Sequence, residues 1–198
     1  MKFKPLSLLA TVALLLPTIA SAHPGHGPAV GLVAGFSHPM TGLDHILTMV
    51  LVGVFAAQLS GRALWLVPAA FVAMMGVGGA LGMYGVGLPF VETGIAVSVI
   101  VMGAVVALGL RAPVAVAMAL VGVFAVFHGH AHGAEMPANT GGLDFALGFM
   151  VATATLHAIG IALTVAVLRL ASARSLPVLR TAGGLAAVAG LGLLTGTI

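Results

Sequence analysis

The stretch His38-Pro39-Met40-Thr41-Gly42-Leu43-Asp44-His45 runs directly into Ile46–Ala57, twelve residues without a charge. Two imidazoles and a carboxylate thus lead a segment apolar enough to enter a lipid bilayer. A charged side chain at a bilayer centre costs about 2.5–3.5 kcal/mol on insertion scales, so a polar cluster at the head of a span marks function rather than packing. The rest of the chain reads as a frame for that cluster.

Working outward, the 198 residues are 61% hydrophobic and only 6% charged, with a mean hydropathy of +1.23. That much apolar surface has nowhere to go but lipid, so the fold class expected is an all-α integral membrane protein. The four carboxylates are Asp44, Glu92, Glu135 and Asp144, and the eight histidines outnumber them. The high isoelectric point follows from scarce acids. No run of Lys or Arg is long enough to track a phosphate backbone, which argues against nucleic acid as a partner. Cysteine is absent, so disulfides, thiolate metal sites and cysteine nucleophiles are excluded. Metal chemistry here must use nitrogen and oxygen.

Met1–Ala22 carries two lysines, an apolar run from Leu6 to Ile19, and then Ala20-Ser21-Ala22, the small-residue pattern of a signal-peptidase site. It reads as a cleaved export signal; Pro17 argues against the alternative of an uncleaved first helix. Cleavage would leave 23–37 as a periplasmic tail beginning at His23. The new amine, the His23 imidazole and nearby His26 form a weak metal-capture site, with a plain flexible tail as the equal alternative. Six apolar segments follow over 38–198, at about 38–59, 63–83, 89–110, 113–133, 142–168 and 177–197. Each is near the ~20 residues that cross ~30 Å of hydrocarbon. Together they predict a six-helix transmembrane bundle.

Arg62, Arg111, Arg169, Arg174 and Arg180 fall at alternate turns and therefore on one side. The positive-inside rule makes that side cytoplasmic and puts the mature N-terminus and the C-terminus in the periplasm, in a bacterial inner membrane. All four carboxylates then sit at or near the outer ends of spans. Small residues at helix-packing spacing, Gly78/Gly82, Ala186/Gly190 and Gly192/Gly196, predict close helix contacts. The ten methionines read as packing filler.

Pro39 suits the first position of a helix, which places His38 at its cap and Asp44 and His45 about two turns inside. On such a helix His38 and His45 share a face with Cα atoms about 10 Å apart. That suits two successive ion stations, unless an irregular start near Gly42 shortens the gap. The structural alternative is a cap plus an Asp–His pair joining two helices. The second cluster is Phe127-His128-Gly129-His130-Ala131-His132-Gly133-Ala134-Glu135. His128 and His132, at i and i+4, can chelate one divalent ion, and Glu135 continues their stripe. His130 points elsewhere, and a functionless exposed loop is the alternative. Glu92 is a candidate to complete the ligand set, while Asp144 reads as a helix N-cap. His157 is either a midway station or an interhelical hydrogen bonder. A mixed nitrogen and oxygen set suits Ni²⁺ or Co²⁺ and argues against Cu(I); spacing does not separate nickel from zinc.

The pair His38-x₅-Asp44-His45 and Phe127-His128-Gly129-His130-Ala131-His132-Gly133-x-Glu135 resembles the signature of the HupE/UreJ family, bacterial membrane proteins regarded as nickel or cobalt permeases serving hydrogenase and urease maturation. Val91-Glu92-Thr93-Gly94-Ile95-Ala96-Val97-Ser98 is also similar to family members. The resemblance implies that His38, Asp44, His45, His128, His132 and Glu135 are needed for transport. The function expected is a secondary permease or facilitated-diffusion path, not an enzyme, importing Ni²⁺ or Co²⁺ with no permanently bound cofactor. No phosphate-cradling Gly-rich loop with its Lys is present for ATP hydrolysis. The expected partners are a divalent ion, the lipid bilayer, a second copy in a homo-oligomer, and a cytoplasmic nickel chaperone of unnamed identity. The competing readings are a membrane metalloenzyme with a His-rich di-metal site and a metal-binding accessory subunit that moves nothing.

Overall fold

The structure, a computed structural model, describes residues 28–136, 141–170 and 175–198. The export signal, His23, His26 and Arg174 lie outside them. The described residues form helices and no strand: α1 (Pro28–Ser37), a 3₁₀ turn (His38–Met40), α2 (Leu43–Leu59), α3 (Ala63–Met83), α4 (Val91–Leu108), α5 (Val114–Ala134), α6 (Gly142–Leu170) and α7 (Ser175–Thr195). Helices α3 to α7 are each long and apolar enough to cross a membrane, and the bent pair Gly31–Met40 and Leu43–Leu59 brings the number to as many as six. Their outward faces carry exposed Trp65, Leu185 and Val188, the apolar surface that lipid covers.

The first segment departs from the continuous helix expected from residue 38. An 84° bend separates its two pieces. Pro39 occupies the start of the 3₁₀ turn, where its missing N–H is harmless. The Thr41 amide and hydroxyl both donate to the His38 carbonyl, at 3.1 and 2.7 Å. Gly42 is extended (φ −98°, ψ 123°), and the helix restarts at Leu43. Asp44 and His45 therefore sit in the first turn of α2, not two turns inside, and His38 lies within the 3₁₀ turn instead of capping a helix.

Residues 28–37, read from sequence as part of a tail, form α1, which packs along α6. The contact depends on small residues. A Cβ on Gly35 would overlap the Phe145 carbonyl, and one on Gly148 would overlap the Leu32 carbonyl. The same device joins α3 to α5: Gly78 and Gly82 face the carbonyls of Val126 and His130, while Gly129 and Gly133 face those of Met75 and Gly79. Gly190 likewise closes α7 on Ile100. The expectation fails for Gly192/Gly196. Gly196 has φ +67° and ends α7, with the Gly196 and Thr197 amides bonding the Leu193 and Gly192 carbonyls.

Helix α2 is central. It touches α3, α4, α5, α6 and α7, and Met49, Val52, Phe55 and Ala56 are wholly or almost wholly buried. The His38–His45 stretch is thereby held at one end of the most enclosed helix. Asp144, expected as the N-cap of α6, is instead its third residue because the helix already begins at Gly142; in that first turn a carboxylate still offsets the positive end of the helix.

Candidate metal site

Two elements deliver the site. The 3₁₀ turn and the first turn of α2 present His38, Asp44 and His45. The last two turns of α5 present His128 and His132, and Glu135 follows as the C-cap. Because Gly129 and Gly133 turn toward the α3 backbone, the neighbouring His128/His132 stripe is rotated toward α2. The break at Thr41–Gly42 folds His38 back over His45, so both reach the same partner.

The four rings converge. The His132 centroid lies 4.4 Å from His45 and 4.7 Å from His38, and His45 lies 4.7 Å from His128, all edge-to-face. His38 Nε2 is 3.5 Å from Glu135 Oε2. One ligand atom each from His38, His132 and Glu135 fits within a 4.8 Å spread. Two ligands held at about 2.1 Å from one ion can be at most about 4.2 Å apart, so sub-ångström shifts close this trio on a dication. Exposure falls steadily inward: the Glu135 side chain is 62% exposed and that of His38 36%, whereas His45, His132 and His128 are 9%, 5% and 0% exposed as residues. A mouth of about 220 Å³ opens onto the cluster. Exposed Glu92, in the first turn of α4, lines it together with Asp44 and Glu135.

Hydrogen-bond counting assigns the rings. Asp44 Oδ1 accepts from the His45 amide and from His45 Nδ1–H, both at 2.7 Å, which leaves the His45 lone pair on Nε2. Ser98 donates its one proton to the Ile95 carbonyl at 2.6 Å. Its oxygen must then accept from the Thr48 hydroxyl and from His128 Nε2–H, each at 2.9 Å. The His128 lone pair is on Nδ1. Neither His45 Nε2, His128 Nδ1 nor either His132 nitrogen has a hydrogen-bond partner among the described residues. A donor group on one nitrogen, anchored to a carboxylate or hydroxyl, with a bare lone pair on the other, is how metal-binding imidazoles are oriented.

The secondary candidates separate. His130 donates Nε2–H to the Val86 carbonyl at 2.7 Å and fixes the turn between α3 and α4, away from the cluster. His157 is 1% exposed and donates Nδ1–H to the Met49 carbonyl at 2.7 Å, outside the outer group. Several contributors are not among the residues singled out from the sequence for the site. Ser98 and Thr48 hold His128, Phe149 packs on His132 at 3.9 Å, Phe145 on His38 at 5.7 Å, and Phe71 on His128 at 5.8 Å. The hydroxyls could have been found as polar residues facing inward from apolar runs; the phenylalanines are indistinguishable there from ordinary core.

Fold and site together define a polytopic membrane protein with a sulfur-free histidine–carboxylate cluster at one end of its helices, three members of which could hold a metal ion. The family model described as HupE / UreJ protein matches residues 10–193. Protein HupE of Rhizobium leguminosarum bv. viciae is 49% identical over 184 residues, covering 93% of this chain and 94% of that protein. The chain belongs to the HupE/UreJ family. No solved structure matches it.

Proposed function

We propose that this protein is a secondary permease, or facilitated-diffusion path, carrying Ni²⁺ or Co²⁺ from the periplasm to the cytoplasm for hydrogenase or urease maturation, and that it is not an enzyme. The observation that carries this is the convergence of His38, Asp44 and His45 with His128, His132 and Glu135 along a gradient of exposure. Glu92, Asp44 and Glu135 attract the hydrated ion at the mouth. His38, His132 and Glu135 replace part of its water, and His45 and His128 offer the next lone pairs inward. Neutral imidazoles with few carboxylates suit a borderline dication and hold it weakly enough to release it, as a conducting path requires. The arginines at alternate turns, on the side opposite the cluster, support a periplasmic position for it.

Nickel flux into proteoliposomes containing only this protein tests the reading. Wild type should load Ni²⁺, with His132→Ala at least tenfold slower. Ion binding without flux would instead assign the chain the role of an accessory metal-binding subunit. Tightly held, stoichiometric iron in the purified protein would favour the metalloenzyme.

A further inference from the structure

The outer cluster leaves the deeper half of the bundle unexplained, and one buried group there is half used. His157 projects from the middle of α6 against α2, at a place where the two backbones are pressed together: a Cβ on Gly53 would overlap the His157 carbonyl, and one on Gly160 would overlap the Val50 carbonyl. Its Nδ1–H donates to the Met49 carbonyl at 2.7 Å. That bond needs the proton on Nδ1, so the lone pair is on Nε2, which is buried without a partner among the described residues. A histidine kept only to tie α6 to α2 could be replaced by any donor. Leaving a bare acceptor in a membrane interior is costly, and buried polar groups are almost always paired.

The position of this lone pair relative to the cluster is informative. Met49 follows His45 by four residues on α2, one helical turn or about 6 Å farther from the mouth. The Phe71 ring stands edge-to-face with His157 at 5.1 Å and tilted against His128 at 5.8 Å, so the two imidazoles share one aromatic wall. The anchoring matches the one that orients His45 and His128: donor committed to a protein acceptor, lone pair left bare.

We infer that His157 Nε2 is an inner station for the transported dication, one turn below the outer cluster, with its ring pre-set by the Met49 carbonyl. With a single imidazole from the protein, the ion keeps water on its other positions, which makes the station transient. The inference rests on the import reading, and the experiment separates the two. His157→Asn retains, on Nδ2, an amide donor at the position of Nδ1–H but loses the imidazole. It should fold with a cooperative melt in detergent and bind Ni²⁺ at the outer cluster within twofold of wild type, yet carry Ni²⁺ into proteoliposomes at least tenfold more slowly. In ¹⁵N spectra of histidine-labelled wild type, His157 should carry its proton on Nδ1, and added Ni²⁺ should shift or broaden its Nε2. Wild-type flux matched within twofold by a folded His157→Asn variant would overturn the station and leave the import reading standing. A proton on Nε2 would also overturn it. Absent wild-type flux with a Ni²⁺-perturbed His157 would do the reverse, supporting the site and refuting import.

Discussion

On the import reading Asp44 orients His45 toward the ion, and its removal should weaken metal binding by a calculable amount. Its Oδ1 accepts two bonds from His45, from the amide and from Nδ1, both at 2.7 Å. In Asp44→Ala the imidazole loses the acceptor that fixes its proton, and an amide in the first turn of α2 loses its partner. A hydrogen bond to a charged group contributes about 1.5–3 kcal/mol. At about 1.4 kcal/mol per tenfold, Ni²⁺ affinity should fall roughly 10- to 100-fold, the range seen when partners of metal-bound histidines are removed. Asp44→Asn keeps an Oδ1 that can accept from Nδ1–H, and a neutral bond still contributes about 0.5–1.5 kcal/mol, so it should lose about tenfold or less. Calorimetric titration of the purified protein with Ni²⁺, paired with initial uptake rates in cells, measures both. Alanine binding within twofold of wild type would refute the orienting role. Asparagine as defective as alanine would show that the charge acts on the ion directly.

Ser98→Ala strips His128 Nε2–H and the Thr48 hydroxyl of their shared acceptor. Each unpaired buried group costs about 1–3 kcal/mol, so thermal unfolding in detergent should drop by several degrees, and an unchanged melt would contradict the hydrogen-bond order given above. Gly129→Ala would push a methyl into the Met75 carbonyl; overpacking of this kind costs about 1–3 kcal/mol and displaces His128, so both the melt and Ni²⁺ uptake should fall. Gly184→Ala, which meets open space, is the matched control and should leave both unchanged or slightly improved. Glu135→Gln removes charge from the exposed mouth, so it should slow Ni²⁺ uptake several-fold at low ionic strength. The part of that deficit due to attraction should vanish in ~1 M salt, where the screening length is about 3 Å, and the part due to the lost ligand should remain; a deficit wholly abolished by salt would refute Glu135 as a direct ligand.

Much of the fold was legible because lipid imposes a severe rule on sequence: any segment that crosses must be long, apolar and helical. The expected boundaries 63–83 and 113–133 lie on α3 and close to α5 for that reason. Helix α1 was missed because 23–37 reads as the tail left by cleavage of the export signal, although Gly31 and Gly35 repeat the small-residue spacing recognised at Gly78 and Gly82. Gly192 and Gly196 show the converse. The same spacing at a chain end serves a helix cap, and spacing alone does not say whether a neighbour is present.

The residues of the site could be picked out individually, since imidazoles and carboxylates are rare enough in this chain that each one stands out against hydrocarbon. Their association could not. Whether His38 and His45 are separate stations or members of one group turns on the 84° bend at Thr41–Gly42, a consequence of Pro39, an extended Gly42 and the packing of α1 on α6. Which nitrogen each ring offers depends on Asp44, Ser98 and the Met49 carbonyl. Apart from adjacent Asp44, these acceptors are distant in the chain and brought near only by packing. Sequence therefore determined the class of protein and its donor types, because partition into lipid acts on each segment separately. Tertiary structure decided which donors meet and which lone pairs remain bare, because those depend on contacts between segments.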